Sequence, residues 1–285
     1  MTVREIEREL ARLREASTEP GAPPRLRTSV MTHLAWVPER WVDQATETLA
    51  GLAERHPSRT ILLFPRPDDR PDRLDGEVDF RCFVRDGERR EVCSEVITLS
   101  LCGARASVPA SIVTPLLVSD LPVFLRWRGP PDFGSPELEQ LSGVADRLVV
   151  DSREWPDVGG GLSRLPELFD RVVVSDIAWA RTLSWRAAVA GLWPEIAEAS
   201  RLRVAGPEAE AVLLCAWLGA RLKRPVELEL EPAGEIELVE VDGRNAVPER
   251  LLQKTPSDLL SEELEVFERD RIYEEAARSF SSRPT

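Results

Sequence analysis

Three kinds of site in this chain hold residues able to do chemistry. The first is His56-Pro57-Ser58-Arg59. A guanidinium and a hydroxyl where a helix ends and a strand begins can hold an anion such as a sugar phosphate, so His56, Ser58 and Arg59 form a candidate anion site. The same residues also have a structural reading, in which His56 meets the dipole at the helix C-terminus and Pro57 stops the helix. The second is Arg126-Trp127-Arg128. Along a strand from Leu121 to Trp127, Val123, Leu125 and Trp127 share one face while Phe124, Arg126 and Arg128 share the other, so two arginines emerge together beside an aromatic. Pro130 and Pro131 stiffen the loop that follows, and in a chain of net charge −13 this edge is a candidate to receive an acidic partner segment or a phosphate. The competing reading puts Trp127 in the core and pairs the arginines with local carboxylates. The third is a set of dipeptides, Asp151-Ser152, Ser175-Asp176 and Gly206-Pro207, each at the carboxyl end of an expected strand, where α/β folds often bind anions.

Other chemistries lack their residues. Gly159-Gly160-Gly161 is the dense glycine cluster, but Arg164 stands where the dinucleotide fingerprint needs its third glycine, so the cluster reads as a linker and a domain boundary. There is no P-loop and no G-x-S-x-G elbow, and two histidines leave little room for a triad or a zinc site. No catalytic residue, metal or cofactor is therefore assigned. Carboxylates are numerous, yet spacing alone does not say which of them converge.

Composition narrows the partners. Lys and Arg total 37 against 50 Asp and Glu, and a surface this acidic repels nucleic acid and anionic lipid. The longest uncharged stretch, Ala106 to Ser119, is broken by two prolines and falls short of the ~20 residues of a membrane span. The first residues are charged and lack the apolar core of a secretory signal, so a cytoplasmic protein is expected. Cys82, Cys93, Cys102 and Cys215 form no Cys-x-x-Cys pair and read as reduced core thiols, with a redox pair among the first three as the alternative. Eight tryptophans against the single Tyr273 leave some aromatics for a partner surface.

These residues need a frame. With 42% hydrophobic residues over 285 positions the chain can build a sizeable core, read as two α/β domains, 1–157 and 158–285. Thr2 and Glu5 form a capping box on a first helix, followed by a Pro-rich linker from Pro20 to Pro24. Strands are expected at 28–37, 60–64, 121–127, 147–150, 171–174 and 201–205, with helices after the first, third, fifth and sixth of them that open at Pro38, Ser135, Asp176 and Gly206-Pro207. A Pro- and Asp-rich loop at 65–76 leads into a hairpin, 78–85 and 91–101, that turns at Asp86-Gly87. Ser107 is expected to cap a short helix, and Val226 to Glu231 alternates as a half-buried strand that Pro232-Ala233-Gly234 turns into a hairpin partner. A C-terminal helix from Ser257 is interrupted near Asp270. The fold class that results is α/β, with mostly parallel sheets flanked by helices, antiparallel hairpin additions and a C-terminal helix.

Several segments, in order, also resemble a known family. They are His56-Pro57-Ser58-Arg59, Cys93-Ser94-Glu95, Asp120-Leu121-Pro122-Val123-Phe124-Leu125, Trp127-Arg128-Gly129 and Ala145-Asp146-Arg147-Leu148-Val149-Val150-Asp151-Ser152. With Leu259-Leu260-Ser261-Glu262-Glu263-Leu264 and Tyr273-Glu274-Glu275-Ala276, they are similar to the OpcA family of glucose-6-phosphate dehydrogenase assembly proteins. The resemblance implies a non-catalytic partner that binds glucose-6-phosphate dehydrogenase and promotes its active oligomer, and it supplies no catalytic residues. The alternative is a sugar-phosphate-binding enzyme or sensor that uses the strand ends named above.

Overall fold

The structure, a computed structural model, describes residues 2–16, 25–26, 29–52, 56–84, 91–251 and 254–281. The linker at 20–24 and the turn at Asp86-Gly87 lie outside them. The chain divides into two compact units, residues 1–149 with 256–265, and residues 150–255 with 266–285.

In the first unit the buried runs decide the sheet. Strands β2 (Thr32–Trp36), β6 (Val123–Trp127) and β7 (Arg147–Val150) are buried at every position. Only strands covered on both faces tolerate that pattern, and such strands run parallel with helices above and below. Helix α1 (Val3–Ala16) and the two-residue β1 (Arg25–Leu26) precede β2, and helix α2 (Val42–Leu52) links β2 to β3 (Arg59–Arg66). Beyond β3 come β4 (Arg73–Val84) and β5 (Glu91–Cys102). The sheet order is β1-β5-β3-β2-β6-β7, with β4 antiparallel along the other edge of β5. Ile61, Leu63, Ile97 and Leu99 are fully buried at its centre, each worth about 1.5–3 kcal/mol. Helices α3 (Pro109–Val113) and α4 (Pro136–Ser142) flank β6, and Ser135 caps α4 by accepting the Leu138 N–H at 3.2 Å.

Two local expectations change here. The loop expected at 65–76 shrinks to 67–72, because β4 starts at Arg73 to pair with the full length of β5. Ser107 does not cap α3, since Val108 holds the cap position and Pro109 begins the helix without needing a donor partner. The expectation of reduced thiols also fails at Cys93, which is disulfide-bonded and stands directly opposite Cys82 across the β4–β5 ladder. Cys102 and Cys215 are buried and not disulfide-bonded.

The second unit begins with helix α5 (Val158–Arg164), strand β8 (Val173–Asp176) and helices α6 (Ile177–Arg181) and α7 (Leu183–Ala190). Strand β9 (Arg201–Gly206), helix α8 (Glu208–Leu222), and strands β10 (Glu227–Pro232), β11 (Leu238–Val241) and β12 (Arg244–Asn245) follow. Their sheet order is β10-β9-β11-β12. The expected hairpin of β10 with its successor is thus corrected: β10 pairs parallel with β9 and β11 pairs antiparallel with β9, one on each side. Of the last two helices, α9 (Pro256–Glu265) belongs to the first unit and packs on α2, while α10 (Arg271–Ser281) belongs to the second. Asp270, where the interruption was expected, caps α10 by accepting the N–H groups of Ile272 and Tyr273 at 2.9 and 3.0 Å. Among the described residues no helix is long and apolar enough to cross a membrane.

The triple glycine is not a linker. Gly159, Gly160 and Gly161 lie inside α5, whose cap Asp157 accepts the Gly160 N–H at 2.8 Å. A side chain on Gly161 would place its Cβ 2.5 Å from the Trp155 ring, whereas one on Gly159 would meet nothing nearer than 3.9 Å. The two sites should therefore answer the same substitution with opposite signs. Gly161→Ala is expected to lower the thermal midpoint through about 1–3 kcal/mol of overpacking, and Gly159→Ala to raise it through about 0.5–1 kcal/mol of helix propensity. Melting curves showing the same sign at both positions would refute this account of the glycines.

Candidate functional site

A doubly wound sheet usually receives its ligand between the two central strands where the chain reverses direction, here the carboxyl ends of β2 and β6. In this chain that position is filled. Trp36 and Trp127, paired in register, stack with centroids 5.2 Å apart at 17°. Arg126 donates to Trp127 O and, at 3.4 Å, to Val149 O. Arg128 donates from Nη2 to Thr48 Oγ1 at 2.8 Å and to Gln44 O at 3.3 Å, both on α2. Gly129 has φ +78°, and a Cβ there would sit 2.8 Å from Trp41 Nε1. Arg126, Trp127 and Arg128 are 3%, 3% and 8% exposed, so the paired-arginine edge expected from strand alternation is not a surface. The alternation itself is right, but a central parallel strand has helices on both faces. His33, on β2, sits in the same positive field. Burial, with the charges of Arg126 and Arg128, pushes it down to about 3, so it stays neutral.

His56, Ser58 and Arg59 do not converge on a common point. Arg59 donates to Glu95 Oε2 at 2.8 Å and to Leu116 O at 2.7 Å, and Glu95 also accepts from Arg14 at 2.7 Å. Ser58 Oγ pairs with Thr60 Oγ1 at 3.3 Å, and His56 Nε2 lies 2.5 Å from Ser261 Oγ on α9. The Arg59 guanidinium is thus already held by two protein acceptors, the Glu95 carboxylate, which it shares with Arg14, and the Leu116 carbonyl.

The strand ends of the second unit do converge. Asp176 Oδ1 accepts the N–H groups of Ser152 and Ala178 at 3.0 and 2.9 Å, and its other oxygen lies 3.4 Å from Tyr273 OH. Arg181 holds Asp151 with two bonds, at 2.9 and 3.0 Å. Arg153 joins Glu210 of α8 to Glu235, the latter at 2.9 and 3.0 Å. Four carboxyl groups thus surround two guanidiniums, which makes this a poor place for an anion. Burial, and secondarily the charge of Asp151, pushes Asp176 up to about 7, and burial pushes Glu210 up to about 7 against the pull of Arg153 and Arg181. Both can exchange a proton near neutrality, but both are buried. Sequence reasoning named Asp151, Ser152 and Asp176 and missed Arg153, Arg181 and Glu210. The available signal was Glu210 itself, a carboxylate on a helix apolar on every side, which must bring a cationic partner inside with it.

Away from the strand ends the second unit has an open groove of about 590 Å³, whose lining includes Ala188 of α7, Leu192 and Val247 together with the polar Asn245, Glu249 and Arg250. Val247 is 77% exposed, and Leu183, Trp193 and Leu251, chain neighbours of its lining residues, are 59%, 62% and 60% exposed. The other seven tryptophans are buried or half-buried.

The acid network generates a pH prediction. The folded value of Asp176 lies above its ordinary 3.8, so its contribution is fully present below that value and is lost as pH rises toward about 7. Asp176→Asn keeps the acceptor but cannot ionise. Its melting temperature relative to the parent chain is expected to climb by a few degrees between about pH 5 and about pH 8. A difference that does not change with pH, measured by scanning calorimetry, would show that Asp176 ionises normally.

Comparison with known proteins agrees with the resemblance read from the segments. Residues 50–167 match a family model described as glucose-6-phosphate dehydrogenase subunit N-terminal domain, and residues 172–277 match one described as the C-terminal domain of the same subunit; both carry the OpcA name. The chain is 28% identical over 202 residues to an OxPP cycle protein OpcA of Nostoc punctiforme, covering 67% of this chain and 43% of that one. It is 26% identical over 206 residues to the protein of the same name in Synechococcus elongatus, covering 68% and 46%. It thus spans less than half the length of these curated relatives. Matched by both domain models in series across most of its length, the chain belongs to the OpcA family of glucose-6-phosphate dehydrogenase assembly proteins.

Proposed function

We propose that this chain is a non-catalytic partner of glucose-6-phosphate dehydrogenase that works in the cytoplasm and shifts the enzyme toward its active oligomer. The observation that carries the reading is a set of exposed apolar side chains on the second unit, Val247 in the lining of the groove and Leu183, Trp193 and Leu251 each next in sequence to a lining residue, in a chain whose two domain models are both named for that dehydrogenase. Exposed apolar surface gathered in one place marks interaction sites, and tryptophan is the side chain most enriched among energetic hot spots. The packing of Trp36 against Trp127 over the sheet's reversal point supports the absence of catalysis, since it fills the place where a nucleotide would lie. Activation then requires that the groove bind one state of the enzyme more tightly than the other.

The test is size-exclusion chromatography of the chain mixed with the dehydrogenase of its own organism, with activity followed across the peak. Co-elution and raised specific activity are expected at micromolar concentrations. Trp193→Ala is expected to weaken the complex by about 30-fold, the scale of a 2 kcal/mol hot spot, without moving the melting temperature of the free chain. Failure to co-elute, with no kinetic change, would remove the reading, while undiminished binding by Trp193→Ala would move the interface off this groove. The chain by itself is expected to reduce no NADP in the presence of glucose 6-phosphate; turnover by a preparation free of dehydrogenase would make it an enzyme after all.

A further inference from the structure

The sheet of the second unit has an open side. Its strand order leaves β10 at an edge, and among the described residues no strand pairs with its outer side. Glu227 donates its N–H to Ser200 O at 2.8 Å and Ala233 donates to Gly206 O at 3.1 Å, so residues 227, 229 and 231 turn their backbone groups toward β9. Leu228 and Leu230, between them, must turn theirs outward. Pro232 has no N–H and ends the run of donors.

Side chains alternate in the other sense. Glu227, Glu229 and Glu231 stand on the same sheet face as Arg201 and Arg203 of β9, and Leu228 and Leu230 stand on the opposite face, where Leu230 remains 36% exposed. The neighbour already in place shows what this strand accepts. Arg201 reaches Glu229 and Arg203 reaches Glu231, each at 3.2 Å, an arginine at every second residue answering a glutamate. Those glutamates are 46% and 62% exposed, which leaves their outer sides open to a second cation.

We propose that the outer side of β10 is a docking edge for an extended basic segment of a protein partner, with Arg or Lys alternating with apolar residues, added as a further strand. The outward backbone groups of Leu228 and Leu230 would supply the ladder bonds, the glutamates would choose the cations, and an apolar residue would cover Leu230. A second copy of this chain fits badly, because pairing β10 with itself sets glutamate opposite glutamate. The proposal is independent of which protein carries the segment, and so of the reading given above.

The probe is a synthetic peptide of about eight residues, a common strand length, alternating Arg and Val, titrated into the full chain and followed by fluorescence anisotropy and amide exchange. Saturable binding is expected, weakening as salt is added, with slowed exchange at the Leu228 and Leu230 amides and none at Glu229, whose N–H already faces β9. A peptide alternating Glu and Val should not bind. Leu230→Pro removes an outward donor and is expected to weaken binding by about tenfold, the scale of one lost hydrogen bond to a desolvated partner. Where that variant does not fold, the same peptide N-methylated at alternate residues takes its place, since it removes the peptide's donors and leaves the protein intact. No saturable binding, or binding that leaves the Leu228 and Leu230 amides unchanged and ignores the lost donors, would reduce the edge to plain attraction between an acidic surface and a basic peptide and overturn the proposal.

Discussion

At the carboxyl ends of its central strands this chain buries charge, and desolvation then dictates what else must be there. Arg126 and Arg128 cannot give up a proton, so they need acceptors within reach: the carbonyls of Trp127, Val149 and Gln44 and the hydroxyl of Thr48. Helix α2 must therefore lie where Thr48 can meet Arg128. His33, close to both arginines in the same core, meets the constraint by staying neutral. In the second unit, Asp176 takes two backbone N–H groups and a neighbouring tyrosine hydroxyl, while Asp151 takes a bidentate arginine. Breaking such a buried pair by removing one member typically costs about 3–5 kcal/mol, far more than any exposed ion pair of this chain contributes.

That arrangement bears on where function can sit. The ends of parallel strands are where α/β proteins commonly hold small ligands, because backbone groups and helix termini point there unpaired. Here those groups are spent on one another. What remains for recognition is surface of two kinds: an open groove with exposed apolar side chains in and next to its lining, and a strand edge that no strand pairs with among the described residues. Both suit a protein partner better than a metabolite, which accords with a family named for an assembly role.

The segments that carried the family resemblance make sense in the same terms. His56-Pro57-Ser58-Arg59 and Cys93-Ser94-Glu95 are far apart in sequence yet form one joint. Ser58 N–H donates to Ser94 Oγ at 3.3 Å, Glu95 N–H donates to Ser58 O at 3.1 Å, and Arg59 pairs with Glu95. The signature is thus a structural clasp at the start of two neighbouring parallel strands. Asp151-Ser152 is likewise tied, through the Ser152 N–H, to Asp176.

By itself the sequence determined the α/β class, most of the order of its helices and strands, the caps at Ser135 and Asp176 and the break at Asp270, because periodicity and capping are local properties of the chain. It also carried the family resemblance, which is a matter of order and spacing. Burial and pairing are long-range, and there the tertiary structure decided. Alternation placed Arg126 and Arg128 on one strand face, but only the helices packed over that face make it interior. Three glycines looked like a linker until the Asp157 cap and the Trp155 ring showed why a helix would need Gly160 and Gly161. The turn at Pro232-Ala233-Gly234 looked like a hairpin, yet β9 comes between the two strands, since its arginines match the glutamates of β10 and its Leu202 and Val204 belong in the core. A turn specifies a change of direction; which strand lies next to which is settled by the side chains that must meet across the sheet.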